Sequence, residues 1–239
     1  MPSPPEHKQL KDYGIIKLRT FKPTNRLGFK YLKGKHQPTG KQVFIKLDPS
    51  SGQIAAREAT LLKILNDHPY RVHFPLLVAH KPRGRNAFVA TEFIPGTTLK
   101  VFLTKQAPLT AAQTNSILEQ LVRILDVLHK KRIIHRDIRP QNLMVSLAGG
   151  KPLLLLIDFA FAVALKPNPL PELPFLLARP QLLRRLGGSY RAAADFWDDA
   201  YSIQKIAQLI APDYRRKYPL VGQALDKAMG RLTFPYSPT

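Results

Sequence analysis

The feature that most constrains this chain is a succession of strand-like apolar runs, Ile133-Ile134, Leu143 to Val145 and Leu153 to Ile157, the first two joined by the polar string His135-Arg136-Asp137-Ile138-Arg139-Pro140-Gln141-Asn142. Short aliphatic runs bounded by turn signals read as buried strands. The order strand, turn, strand delivers the charged groups of the string to the ends of buried segments, where a carboxylate is costly unless a cation or hydrogen-bond donors meet it. The third run ends at Asp158, inside the apolar stretch Leu153 to Leu165. That stretch is too short to cross a bilayer and holds a carboxylate, so it reads as a buried strand running into a functional turn.

Upstream, β-rich runs at Gly14 to Leu18, Phe29 to Leu32 and Val43 to Leu47, separated by turn signals such as Pro38-Thr39-Gly40, predict a small antiparallel sheet. Ile54 to Leu65 has apolar residues at helical spacing and is followed by His68-Pro69, which ends the helix. Phe88 to Phe93 reads as another strand, and Pro95-Gly96 after it marks a change of lobe. From Thr110 to His129, the residues Ile117, Leu121, Leu125 and Leu128 form one stripe of a long helix. Five prolines between Pro167 and Pro180 predict an irregular loop, and helical patterns return over Phe196 to Ile210 and Pro219 to Leu232. The expected division is a flexible tail over 1–13, a first lobe of sheet plus one helix over 14–93, a mainly helical second lobe over 94–232 and a tail over 233–239.

The chain has no cysteine, which excludes disulfides, thiolate zinc sites and a cysteine nucleophile. Its net charge of +21, from 37 Lys plus Arg against 16 Asp plus Glu, predicts anionic partners. The charge is uneven: Lys17 through Lys46 holds nine basic residues and no acid, whereas Asp195, Asp198 and Asp199 cluster late. The opening Met1-Pro-Ser-Pro-Pro-Glu-His-Lys lacks the apolar core of a secretory signal. The expectation is therefore a cytoplasmic protein without a transmembrane helix, whose cationic surface suits peripheral contact with an acidic inner-membrane face.

The polar string matches H-R-D-x-x-x-x-N, and here the chain resembles the protein-kinase-like phosphotransferases. The resemblance implies an α+β, two-lobed protein-kinase-like fold with a shortened second lobe, and ATP and Mg²⁺ as cofactors. It implies Asp137 as the group that orients or accepts the acceptor's proton, Asn142 as a metal ligand, and Arg139 at a position that meets the transferring phosphate. Ile157-Asp158-Phe159-Ala160 resembles D-F-G with alanine for glycine, which implies Asp158 as the main Mg²⁺ ligand. Val43-Phe44-Ile45-Lys46 resembles the V-A-I-K strand, so Lys46 is implied on the α and β phosphates and Glu58 as the partner that holds it. Val89 to Gly96 looks like the hinge, with backbone groups of Glu92 and Ile94 on the adenine edge and Thr91 guarding the deeper pocket. Asp199 resembles the buried aspartate that anchors the catalytic-loop backbone, with Asp195 and Asp198 as competing matches.

The pattern also departs from that family. No G-x-G-x-x-G precedes Lys46; Gly14, Gly28, Gly34 and Gly40 have the wrong spacing. The expected compensation is side-chain charge from the basic stretch, with Lys22, Arg26 and Lys30 standing in for backbone amides on the phosphates. No A-P-E motif follows Asp158, and only Ser189 and Tyr190 lie before Asp199 to take a phosphate. Activation by loop phosphorylation is not expected.

The charge and the shortened second lobe are similar to bacterial lipopolysaccharide-core (Kdo/heptose) kinases, so the first expectation is ATP-dependent transfer to a lipopolysaccharide-core or other anionic sugar, an anionic glycolipid acceptor. The alternative is a minimal Ser/Thr protein kinase acting on a protein acceptor, a class that includes bacterial effectors and towards which the catalytic-loop residues lean. A second alternative is a pseudokinase binding module, favoured by the missing glycines and Ala160 and opposed by the presence of Lys46, Glu58, Asp137, Asn142 and Asp158. A nucleic-acid partner rests on charge alone and is not expected.

Overall fold

Alternation along one strand organises the first of the two units into which the chain divides, Met1–Ile94 and Pro95–Thr239. The computed structural model describes residues 5–25, 28–49, 52–105, 108–148, 151–165, 169–170, 173–174, 178, 181 and 199–231. In strand β3 (Gln42–Leu47), Val43, Ile45 and Leu47 turn to one face and enter a core with Ile15, Leu32, Phe88 and Ala90. Phe44 and Lys46, at the alternate positions, belong to the opposite face. Strands β1 (Ile15–Lys22), β2 (Lys30–His36), β4 (Leu77–Lys81) and β5 (Phe88–Glu92) complete an antiparallel sheet of order β1-β2-β3-β5-β4. The edge strand β4 has no counterpart in the sequence reading, because all five of its residues are half-buried and none marks a face.

The tail expected over 1–13 is instead helical over Pro5–Asp12 (α1). Leu10 is fully buried in the sheet's core, Tyr13 meets Phe88 edge to face at 5.0 Å, and Glu6 pairs with Lys30 at 3.0 Å. Two anchors among polar residues give too little periodicity to read as a helix.

Helix α2 (Gln53–Asn66) packs Leu61, Leu62 and Leu65 inward and carries Arg57 and Glu58 on its buried side. It starts at Gly52, φ +103°, where a Cβ would come within 2.3 Å of the Pro82 carbonyl oxygen, so only glycine fits. Gly52 has no side chain to cap the helix, and Asp48 does so from the end of β3: its Oδ2 accepts from the Ala55 N–H at 2.6 Å. This ties the helix bearing Glu58 to the strand bearing Lys46. Asp48→Ala is expected to cost about 0.5–2 kcal/mol, the usual worth of an N-cap, read as a lower urea midpoint at unchanged slope.

The second unit is organised by helix α4 (Ala111–Lys130), which opens with a capping box between Thr110 and Gln113. Its stripe of Ile117, Leu121, Leu125 and Leu128 is buried. Gln120 ties it to strand β9 (Lys151–Leu156), donating to the Pro152 carbonyl and accepting from the Leu154 N–H, both at 2.8 Å. Strand β9 forms an antiparallel hairpin with β8 (Leu143–Ala148), and β8 also pairs with the short β6 (Thr97–Thr98). Strands β7 (Ile133–Ile134) and β10 (Val163–Ala164) form a separate pair. Among the described residues the remaining α-helices are α3 (Leu99–Lys105), α5 (Asp199–Ile210), α6 (Tyr214–Lys217) and α7 (Pro219–Arg231). Most of the proline-rich 167–180 and all of 233–239 lie outside the described residues. Among the described residues no helix is long and apolar enough to cross a membrane.

Candidate active site

In the first unit, Lys46 stands on β3 and Glu58 in the second turn of α2, with Lys46 Nζ 3.1 Å from Glu58 Oε2 and both side chains buried. A buried ion pair of this kind is strongly destabilised when either partner is removed. Phe29, 2% exposed, lies with its ring centroid 4.9 Å from Lys46 Nζ, a contact that no motif announces. Thr91 and Glu92 end β5, and Ile94 closes the unit; the Glu92 amide donates to the Leu76 carbonyl at 2.9 Å and its carboxylate pairs with Lys41.

The turn between β1 and β2 is built without the glycine pattern. Asn25 Oδ1 accepts from the Phe29 N–H at 3.0 Å, and its Nδ2 donates to the Tyr31 hydroxyl at 2.8 Å. The compensating cations expected there are otherwise engaged: Lys30 pairs with Glu6, and Lys22 Nζ sits 4.1 Å from the centroid of Tyr31. Arg26 lies outside the described residues.

In the second unit the string from His135 to Asn142 folds around Asp137. The Asp199 carboxylate accepts from the backbone N–H of His135 (2.6 Å) and of Arg136 (2.9 Å). Asp195 and Asp198, the competing matches, lie outside the described residues. The Asp137 N–H donates to His135 Nδ1 at 3.2 Å, so His135 Nε2 carries the ring proton and donates it to the Ile157 carbonyl at 3.1 Å. The imidazole thereby joins the loop to the residue before Asp158, with Phe159 edge-on at 4.8 Å. This positioning role depends on a partner 22 positions away, and only the fixed distance between string and third apolar run hints at it.

Asn142 lies just ahead of β8 and Asp158 just after β9, and the register Leu143↔Leu156 brings them to the same end of the hairpin, where the Ile157 N–H donates to the Asn142 carbonyl at 2.9 Å. Arg136 (φ +74°) and Asp158 (φ +70°) both hold left-handed backbone, a conformation that costs a non-glycine residue about 1–3 kcal/mol and persists where surrounding bonds enforce it.

The two oxygens of Asp137 differ. Oδ2 accepts from Asn142 Nδ2 at 2.8 Å and meets Arg139 Nη2 at 3.0 Å. Oδ1 is buried with no hydrogen-bond partner among the described residues, an arrangement that is costly unless a ligand completes it. Burial pushes the Asp137 carboxyl up to about 7; Arg139 and the Asn142 hydrogen bond act downward, and the charges of Asp158 and Asp199 act upward.

Among the described residues no three His, Cys, Asp or Glu side chains gather into a cation cage. The donor set nonetheless suits Mg²⁺, which is commonly held by one or two protein oxygens together with water and substrate phosphates. Asp158 offers a carboxylate at the hairpin's end, and Asn142, whose Nδ2 is committed to the Asp137 carbonyl and carboxylate, keeps its Oδ1 for a ligand.

Residues 28–197, more than two thirds of the chain, match the protein kinase domain family. Similar proteins include the serine/threonine-protein kinase ATG1a of Arabidopsis thaliana, 31% identical over 173 residues that cover 68% of this chain and 26% of that protein. The serine/threonine-protein kinase PknA of a Nostoc species is 38% identical over 103 residues, 43% of this chain and 18% of that protein. Human cyclin-dependent kinase 20 is 32% identical over 142 residues, 57% of this chain and 39% of that protein. The chain thus spans well under half the length of each of these relatives. The family match takes in the Lys46–Glu58 pair and the whole segment from His135 to Asp158, and with the α+β architecture of the two units it means that the chain belongs to the protein kinase domain family.

Proposed function

We propose that the chain is a Ser/Thr protein kinase that moves the γ-phosphoryl group of ATP onto a protein hydroxyl. The observation that carries this reading is the asymmetry of Asp137: one carboxylate oxygen is held by Asn142 and Arg139, and the other is buried without a partner among the described residues. An incoming hydroxyl satisfies that oxygen by donating to it. In the transfer, the acceptor oxygen forms a bond to the γ-phosphorus, the bond from γ-phosphorus to the bridging oxygen breaks with its electron pair leaving on ADP, and the acceptor proton passes to Asp137 Oδ1. Arg139 offers a cation beside the transferring group, and Lys46, oriented by Glu58, binds the phosphates of ATP. Asp158 and Asn142 hold Mg²⁺, which when bound neutralises charge on the phosphate oxygens.

The protein acceptor is favoured over the anionic sugar because the similar proteins are Ser/Thr and cyclin-dependent kinases, whereas the glycolipid reading rests on net charge and the shortened second lobe. Contact with an acidic membrane rests on that charge alone, and lipopolysaccharide chemistry on the charge and the lobe's length. Incubation of the protein and its Asp137→Asn variant with γ-labelled ATP, Mg²⁺, and either mixed protein or a lipopolysaccharide-core extract tests the proposal. Label in protein, lost in the variant, is the expected result. Label only in glycolipid returns the acceptor to the anionic sugar, and ATP binding with no label in either reduces the chain to a binding module.

A further inference from the structure

Within the second unit, a cleft of about 630 Å³ opens between α3, the start of α4, the Pro140-Gln141 segment and the end of α5. Its walls include Lys100, Leu103, Leu109, Gln141, Leu209 and Ile210, and no carboxylate is among the described lining residues. Leu209 is 58% exposed, although Ile206, one turn before it on the same helix, is fully buried. Gln141 is four residues from Asp137, and a chain advances at most about 3.3–3.6 Å per residue, so the cleft lies within roughly four extended residues of the phosphorylated hydroxyl.

We propose that this cleft receives an acceptor polypeptide through an apolar side chain flanked by carboxylates, close in sequence to the acceptor hydroxyl; the proposal rests on the protein-kinase reading. The argument for that occupant is complementarity. Leu103, Leu109, Leu209 and Ile210 offer apolar surface, and burying a leucine-sized side chain there strengthens binding by about tenfold or more. Lys100 is exposed at the wall, and no acid among the lining residues neutralises it, so a carboxylate is drawn in and a lysine is repelled. The chain's charge of +21 acts in the same direction at longer range.

The test uses fluorescent peptides with one serine and, within four residues of it, a leucine flanked by aspartates, against a counterpart with lysines in place of the aspartates. Anisotropy at low salt is measured with the full chain and with Lys100→Glu and Leu209→Glu, both at exposed positions where the fold tolerates change. The acidic peptide is expected to bind about tenfold tighter than the basic one, with the preference reversed by Lys100→Glu and affinity for either peptide lost in Leu209→Glu. Equal binding of both peptides, affinities that neither variant moves, or self-association that Leu209→Glu abolishes without peptide binding each overturn the proposal. Label transfer from γ-labelled ATP to the same peptides separates the two claims. Preferential binding without transfer supports the cleft and sinks the kinase reading; transfer without preference does the reverse.

Discussion

Asp137→Asn is expected to slow phosphoryl transfer by about 10²–10⁴-fold, to leave ATP binding intact, and to make the nucleotide-free protein more stable. The loss follows from the unpartnered Oδ1: an amide cannot take the acceptor's proton, although it can keep the contacts with Asn142 and Arg139. The gain follows from the same burial. The carboxyl rises from its ordinary 3.8 to about 7 in the folded state, so between those values the folded protein holds a proton that the unfolded chain has released. Stability therefore falls as pH rises from about 4 to about 7, and the deficit is complete above that, reaching at most about 4 kcal/mol. The asparagine variant carries no such charge, so its advantage should be absent near pH 4 and full at pH 8. Melting both proteins across this range checks it, and parallel curves would show that the carboxylate is not held up by burial. Transfer by the parent protein should rise through pH 7 as Asp137 loses its proton.

Much of this arrangement was legible because it is local. Two ties inside the His135–Asn142 string, Asp137 N–H to His135 and Asn142 to Asp137, span no more than five positions, and the hairpin that follows fixes Asn142 beside Ile157 by simple register. Alternation in β3 and the stripe on α4 were equally plain, each a periodic burial on one face. What stayed hidden has no repeating pattern to announce it. Helix α1 is held by Leu10 and a few polar ties, α3 is only seven residues long, and Asp48 caps a helix seven positions away with no motif to announce it. The sequence indicated that the glycine cover is missing, but not that an Asn25-centred turn and the Phe29 ring stand there instead. Net charge is a weak guide to the acceptor because it is a sum over the surface; Lys22, Lys30 and Lys41 each contribute to it while engaged with Tyr31, Glu6 and Glu92.

Asp199→Ala should be the most damaging substitution for stability, and it should abolish transfer although Asp199 touches no substrate. Its carboxylate, 5% exposed, accepts from two backbone N–H groups, those of His135 and Arg136. Alanine leaves both donors buried and unsatisfied at about 1–3 kcal/mol each, a loss of roughly 2–6 kcal/mol against the 5–15 kcal/mol that holds a typical protein folded. Those two bonds also enforce the left-handed backbone of Arg136, φ +74°, without which the Asp137 carboxylate loses its aim. Asp199→Asn separates the two effects: it keeps one acceptor oxygen, so it should retain part of the stability, yet it removes a charge that helps hold the Asp137 carboxyl up. At a temperature where that variant is folded, the midpoint of its pH–rate profile should move below that of the parent. A purely structural role would lower the amount of active protein and leave the midpoint where it was, and an Asp199→Ala protein that melts with the parent would remove the anchor from the account of this loop.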